Sequence, residues 1–64
     1  MRINKQKLLV AMARKQMNNT TLAKTTGISP ATVGNMLRGC DMSLPTVGKV
    51  AKALGVDVTE IIED

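Results

Sequence analysis

An all-α fold of five short helices is what this sequence predicts, and three observations predict it. Apolar residues recur at helical spacing in successive short segments, caps and breakers punctuate the chain at close intervals, and no stretch keeps up the alternation of a strand. Stripes on helices this short can be buried only against one another, which makes residues 1–64 a single domain.

Each element has its own signals. The first helix is expected over residues 4–15, with Leu8, Ala11 and Met12 at helical spacing and Lys5, Lys7, Arg14 and Lys15 elsewhere. Asn18 has the side-chain oxygen of an N-cap for a second helix over residues 19–25, whose Leu22 and Ala23 point inward. Gly27 ends that helix by adopting the left-handed conformation at least cost, and Ile28 supplies the apolar residue beyond it. Ser29 and Pro30 open the third helix, serine as a favoured N-cap and proline at the first helical position, and Gly39 closes it. Ser43 caps the fourth, in which Val47, Val50, Ala51 and Leu54 recur at i, i+3, i+4 and i+7, with Pro45 tolerated in the first turn and Gly55 at the end. Asp57 with Glu60 three residues later reads as the capping box of a fifth helix carrying Ile61 and Ile62.

Composition narrows the function. A chain of 64 residues buries only about 60% of its unfolded surface, which leaves little room for a deep catalytic cleft. Cys40 is the sole cysteine and there is no histidine, so no intramolecular disulfide forms and the usual zinc and catalytic-base constellations are excluded. No cofactor, metal or enzymatic activity is expected: no convergent set of acid, base and nucleophile is discernible. The longest apolar run, residues 8–13, falls short of the roughly 20 residues of a bilayer span and the at least about 7 of a signal-peptide core. The expectation is a soluble protein of the reducing cytoplasm with no membrane contact.

Charge points to a partner. Residues 1–40 carry seven cations, Arg2, Lys5, Lys7, Arg14, Lys15, Lys24 and Arg38, and no acid; residues 41–64 carry all five acids against Lys49 and Lys52, so the two parts stand at +7 and −3. Such asymmetry suits a face that binds a polyanion, although a chance distribution of solvated charges would look the same on charge alone. The chain has no aromatic residue on which to stack unpaired bases, which favours duplex DNA over single strands or RNA.

The second and third helices, joined by a tight glycine turn, have the layout of a helix-turn-helix over about residues 19–38. At about 100° per residue, Val33, Met36 and Leu37 fall on one side of the third helix, Ala31, Asn35 and Arg38 on the other, and Thr32 at the flank. The outer side is compact enough to enter the roughly 12 Å major groove, and a helix N-terminus favours nearby phosphate.

At these residues the stretch NTTLAKTTGISPATVGNMLR resembles the helix-turn-helix of the lambda-repressor-like, Cro/CI-type (XRE) family. Leu22 and Ala23, Gly27, Ile28, Val33 and Met36 stand where that family has its inward and turn positions, and SLPTVGKVAKALGVDVTEII is similar to its fourth and fifth helices. The resemblance implies a compact five-helix domain that regulates transcription by binding operator-like double-stranded DNA, commonly as a homodimer on paired half-sites. It also implies roles for residues: Asn19, Ser29 and Arg38 against the DNA backbone, and Pro30, Ala31 and Asn35 toward base edges. Chemistry agrees that asparagine pairs well with adenine and that Ala31 and the Thr32 methyl suit thymine methyls.

Several residues keep two readings. Arg38 suits a phosphate or the C-terminal end of its own helix, Lys24 a phosphate or plain solvent, and Asn35 a base or solvent. Gly34 lets either DNA or a neighbouring helix come close. Cys40 reads as a bystander thiol, and the five methionines mostly as core fillers.

The chain departs from the family pattern in four places. Met12 and Leu37 replace an arginine and a glutamate, predicting an apolar contact in place of an ion pair. Thr26 replaces an apolar residue, so its hydroxyl needs a carbonyl one turn back. Thr21 stands at the acidic position of a capping box. Asp41, in the loop with Cys40 and Met42, would repel phosphate. A second function class, an antitoxin-like or adaptor module that grips a protein partner, would use Leu9 or Val10 with Ile61 and Ile62 as its surface. For a homodimer of either class, the last helix is the expected dimer surface.

Overall fold

The computed structural model describes residues 1–63; Asp64, the last of the five acids, lies outside the described residues. The chain forms α1 (Lys5–Arg14), α2 (Asn19–Thr26), α3 (Pro30–Leu37) and α4 (Leu44–Leu54), followed by a 3-10 turn, Val58–Glu60. The fifth element is therefore a turn, where a helix was expected. Its capping box does form, with Thr59 N–H donating to Asp57 Oδ1 at 2.9 Å and Asp57 N–H to Glu60 Oε2 at 3.1 Å. The hydrogen bonds from the Thr59 amide and hydroxyl hold the Asp57 carboxyl below its ordinary pKa.

The helix stops there because the backbone beyond is already used. The Ile61 carbonyl accepts the Asn4 N–H at 2.8 Å, and Glu63 N–H donates to the Arg2 carbonyl at 3.0 Å, so the tail lies antiparallel to the N-terminal segment with Ile3 opposite Ile62. On its other side that segment meets the α3–α4 loop: Met42 N–H donates to the Met1 carbonyl at 2.7 Å, and Arg2 stands opposite Asp41. The Met1 amino group donates to the Asp41 carboxylate and, with Arg2 nearby, lowers its pKa. The acid expected to repel phosphate is thus held beside cations of its own chain.

Local chemistry accounts for the helix ends. Asn4, Asn18 and Ser29 each cap a helix by accepting a backbone N–H three residues on, at 3.0, 2.8 and 3.2 Å. Thr21 does not take the role of the missing acid, which would accept the Asn18 N–H; its hydroxyl donates to Asn18 Oδ1 at 3.0 Å. Ser43 occupies the N-cap position of α4 without a side-chain cap bond to a backbone N–H; its hydroxyl pairs with Thr46 Oγ1 at 2.8 Å.

The end of α1 was not foreseen. Gln16 takes the left-handed conformation (φ 56°) that a glycine would ordinarily hold, with Met17 N–H reaching back to the Met12 carbonyl at 3.0 Å and Gln16 N–H to Ala13. A side chain in that conformation costs about 1–2 kcal/mol, partly offset by the extra backbone freedom glycine has when unfolded. Gln16→Gly is therefore expected to stabilise the domain by up to about 1 kcal/mol, read as a raised urea midpoint at unchanged slope.

The core is aliphatic and methionine-filled. Ile3, Leu8, Leu22, Val33, Met36, Val50 and Ile61 are fully buried, with Met12, Val47, Leu54 and three alanines beside them. α2 packs on α3 and α4, and α1 packs on α3 and the 3-10 turn, so α3 is held from behind by two helices. Met12 is buried in the core cluster and Leu37 packs against that cluster, so both expected apolar positions face the interior. Thr26 satisfies its half-buried hydroxyl by donating to the Leu22 carbonyl at 2.7 Å. Met17 and Met42 also pack on the core, leaving only Met1 of the five methionines exposed. Ile61 is buried and Ile62 packs against the core, so neither forms the free surface expected of them; Leu9 and Val10 do stand exposed, and Leu44 joins them.

Candidate nucleic-acid interface

The interface is built on α3 by its start signal and its inner face. Ser29 Oγ accepts the Thr32 N–H, its oxygen also pairs with Thr32 Oγ1 at 2.9 Å, and Pro30 occupies the first turn. Val33 and Met36 anchor the helix in the core with no exposed surface, which fixes its rotation about its own axis. Ser29, Pro30, Ala31 and Arg38 are then exposed, while Thr32, Gly34 and Asn35 are half-buried. Asn19, at the first position of α2, and Lys24, five residues later, are exposed as well.

All eight residues singled out in the sequence thus lie on α2, on α3 or at the caps of α3, and none belongs to the buried core. Lys24 and Arg38 are the cations among them. Other cations of the basic stretch serve elsewhere: Arg14 faces Glu60 at 3.8 Å, and the Lys15 stem lies against Gly55, where an added Cβ would sit 3.3 Å from it. The charge split along the chain is therefore not a simple split between two faces.

Two features of α3 add to the sequence reading. A Cβ added at Gly34 would meet no atom closer than Arg38 Nη2, at 4.0 Å, so no neighbouring helix accounts for this glycine. The second is a hydrogen bond from Arg38 Nη2 to Asn35 Oδ1 across one turn of α3. Their i, i+3 spacing made it possible, but both side chains had other partners available.

A groove of about 700 Å³ runs between α1 and the 3-10 turn, lined by Leu9, Val10, Ala11 and Val56 with Arg14 and Glu60 at its edge. It is away from α3. Among the described residues no helix is long and apolar enough to cross a membrane.

Residues 7–64 match the sequence model of the Cro/C1-type HTH DNA-binding domain. No curated protein sequence matches the chain. Among solved structures, the restriction-modification controller protein C.AhdI from Aeromonas hydrophila superposes with a TM-score of 0.79 at 32% identity, over 88% of this chain and 86% of that one. A hydroxyethylphosphonate dioxygenase variant superposes with a TM-score of 0.86 over all of this chain, but at 22% identity, a likeness of fold alone. Streptomyces albus HEPD gives 0.77 at 30% identity over 88% of this chain. The chain spans only 14% and 13% of those two enzymes.

Proposed function

The chain belongs to the Cro/C1-type helix-turn-helix DNA-binding family, and from that premise we propose that residues 1–64 act as one cytoplasmic, non-enzymatic unit that regulates transcription by binding specific sequences of double-stranded DNA. The observation that carries this reading is the outward side of α3: a row of small and polar groups, exposed or half-buried, on a helix pinned from behind by Val33 and Met36. A helix so presented fits a major groove without rearrangement of the core.

In this reading the N-terminal end of α3 enters the groove. Pro30, Ala31 and the flanking Thr32 supply shape and apolar contact, with the Thr32 hydroxyl already occupied by Ser29. Asn35 supplies the hydrogen-bonding pair suited to adenine. Ser29, Asn19, Lys24 and Arg38 take the sugar-phosphate backbone, helped by the partial positive charge at the N-termini of α2 and α3. C.AhdI, which this chain matches over most of both lengths, is a controller protein, and a comparable role suits this domain.

Two copies on a two-fold site fit the dimensions: the domain measures 25 × 22 × 18 Å, and half-sites one helical turn apart are about 34 Å from centre to centre. We place a homodimer on DNA within the proposal, with α3 of each copy in successive major grooves.

Selection of bound duplexes from a random pool, followed by binding at several salt concentrations, tests the function. One enriched motif is expected. With Lys24 and Arg38 each meeting a phosphate in two copies, log affinity should fall against log salt with a slope of about −4. An unenriched pool, or affinity indifferent to salt, would defeat the proposal.

A further inference from the structure

We propose that Arg38 is a positioning residue for Asn35, fixing which way round its amide meets a base; this rests on the reading of α3 as the base-reading helix. An unrestrained asparagine amide can turn over, exchanging its oxygen acceptor for its NH2 donors. Adenine accepts only one of the two orientations, since the amide oxygen must take its N6–H while the amide NH2 gives to N7.

The guanidinium of Arg38 reaches Asn35 Oδ1. Guanidinium has five donors and no acceptor, so it can bond the oxygen and never the nitrogen of that amide. The orientation is thereby set by chemistry. Oδ1 keeps a second lone pair for a base N–H, Nδ2 stays available to donate, and the remaining Arg38 donors stay available to a phosphate.

Gly34 borders this pair: Arg38 Nη2 lies 4.0 Å from where a Cβ of residue 34 would stand, an ordinary van der Waals distance, so the arginine passes beside this position on its way back to Asn35 without requiring glycine there.

The test uses the full chain, the duplex selected from a random pool, and its three single-base variants at the position where Asn35→Ala loses its preference. The unsubstituted protein is expected to favour its own base there by about 5- to 150-fold, and Asn35→Ala to bring that preference close to one. Arg38→Ala should reduce the preference at that same position by at least about fivefold while leaving preferences at other positions unchanged, and the double variant should discriminate no worse than Asn35→Ala alone.

If Arg38 served only a phosphate, Arg38→Ala would weaken all four duplexes by one factor and lower the salt slope without touching the preference; that result overturns the proposal. Equal flattening at every position overturns it too, because it reports a disturbed helix. Absence of any preferred duplex for the unsubstituted protein instead overturns the functional reading beneath it, so the two failures are told apart.

Discussion

Ile61→Ala is expected to remove about 2 to 5 kcal/mol of folding free energy, which is a large share of the roughly 3 to 10 kcal/mol that a 64-residue domain possesses. Ile61 has no exposed surface, packs in the same cluster as Ile3 and Leu8, and accepts the Asn4 N–H at its carbonyl. Removing three carbons from that place leaves a void lined by aliphatic side chains, which water does not fill favourably. Urea unfolding should show the lower midpoint at every protein concentration. A residue serving only as a dimer surface would behave differently, leaving the monomer's stability intact and changing sedimentation alone. An unfolding midpoint that Ile61→Ala leaves in place would return the tail to that role.

The same residue marks the boundary of what the sequence discloses. Caps and stops are local: Asn18, Ser29 and Gly27 act within four residues of themselves, so their outcome follows from residue type and spacing. The inward faces of α1 to α4 follow from a 3.6-residue period in the same way, and so does the outward side of α3. The tail is not local. Asp57 and Glu60 spell a helix start, and the chain obeys them for one turn, after which pairing with residues 2–4 takes over the backbone. Nothing near Ile3 announces that a residue almost sixty positions away will lie opposite it. Gln16 fails for another reason, because its left-handed backbone is enforced by the bonds to Ala13 and Met12 against the preference of its residue type. In the candidate interface, spacing told which residues face outward, while the bond between Arg38 and Asn35 depends on rotamers that spacing does not specify.

Ala31→Glu is expected to lower affinity for any duplex at least about 100-fold, which corresponds to about 2.7 kcal/mol, while leaving the fold as stable as before. Ala31 is exposed in the first turn of α3, a turn that contains no acidic residue. A glutamate there meets the positive end of the helix dipole, a favourable placement by about 0.3–1 kcal/mol, so thermal unfolding should not suffer. Against DNA the same side chain is unfavourable twice over: it is bulkier than the methyl it replaces where the helix must sit deep, and it brings a negative charge between two rows of phosphates. Val10→Glu makes the identical change in net charge on the exposed part of α1, beside the groove it shares with the 3-10 turn. That variant should bind within about threefold of the unsubstituted protein, since at physiological salt the screening length is only about 8 Å. Equal losses from the two substitutions would mean that net charge, and not the outward side of α3, governs binding, whereas a loss confined to Ala31→Glu places the duplex against that side.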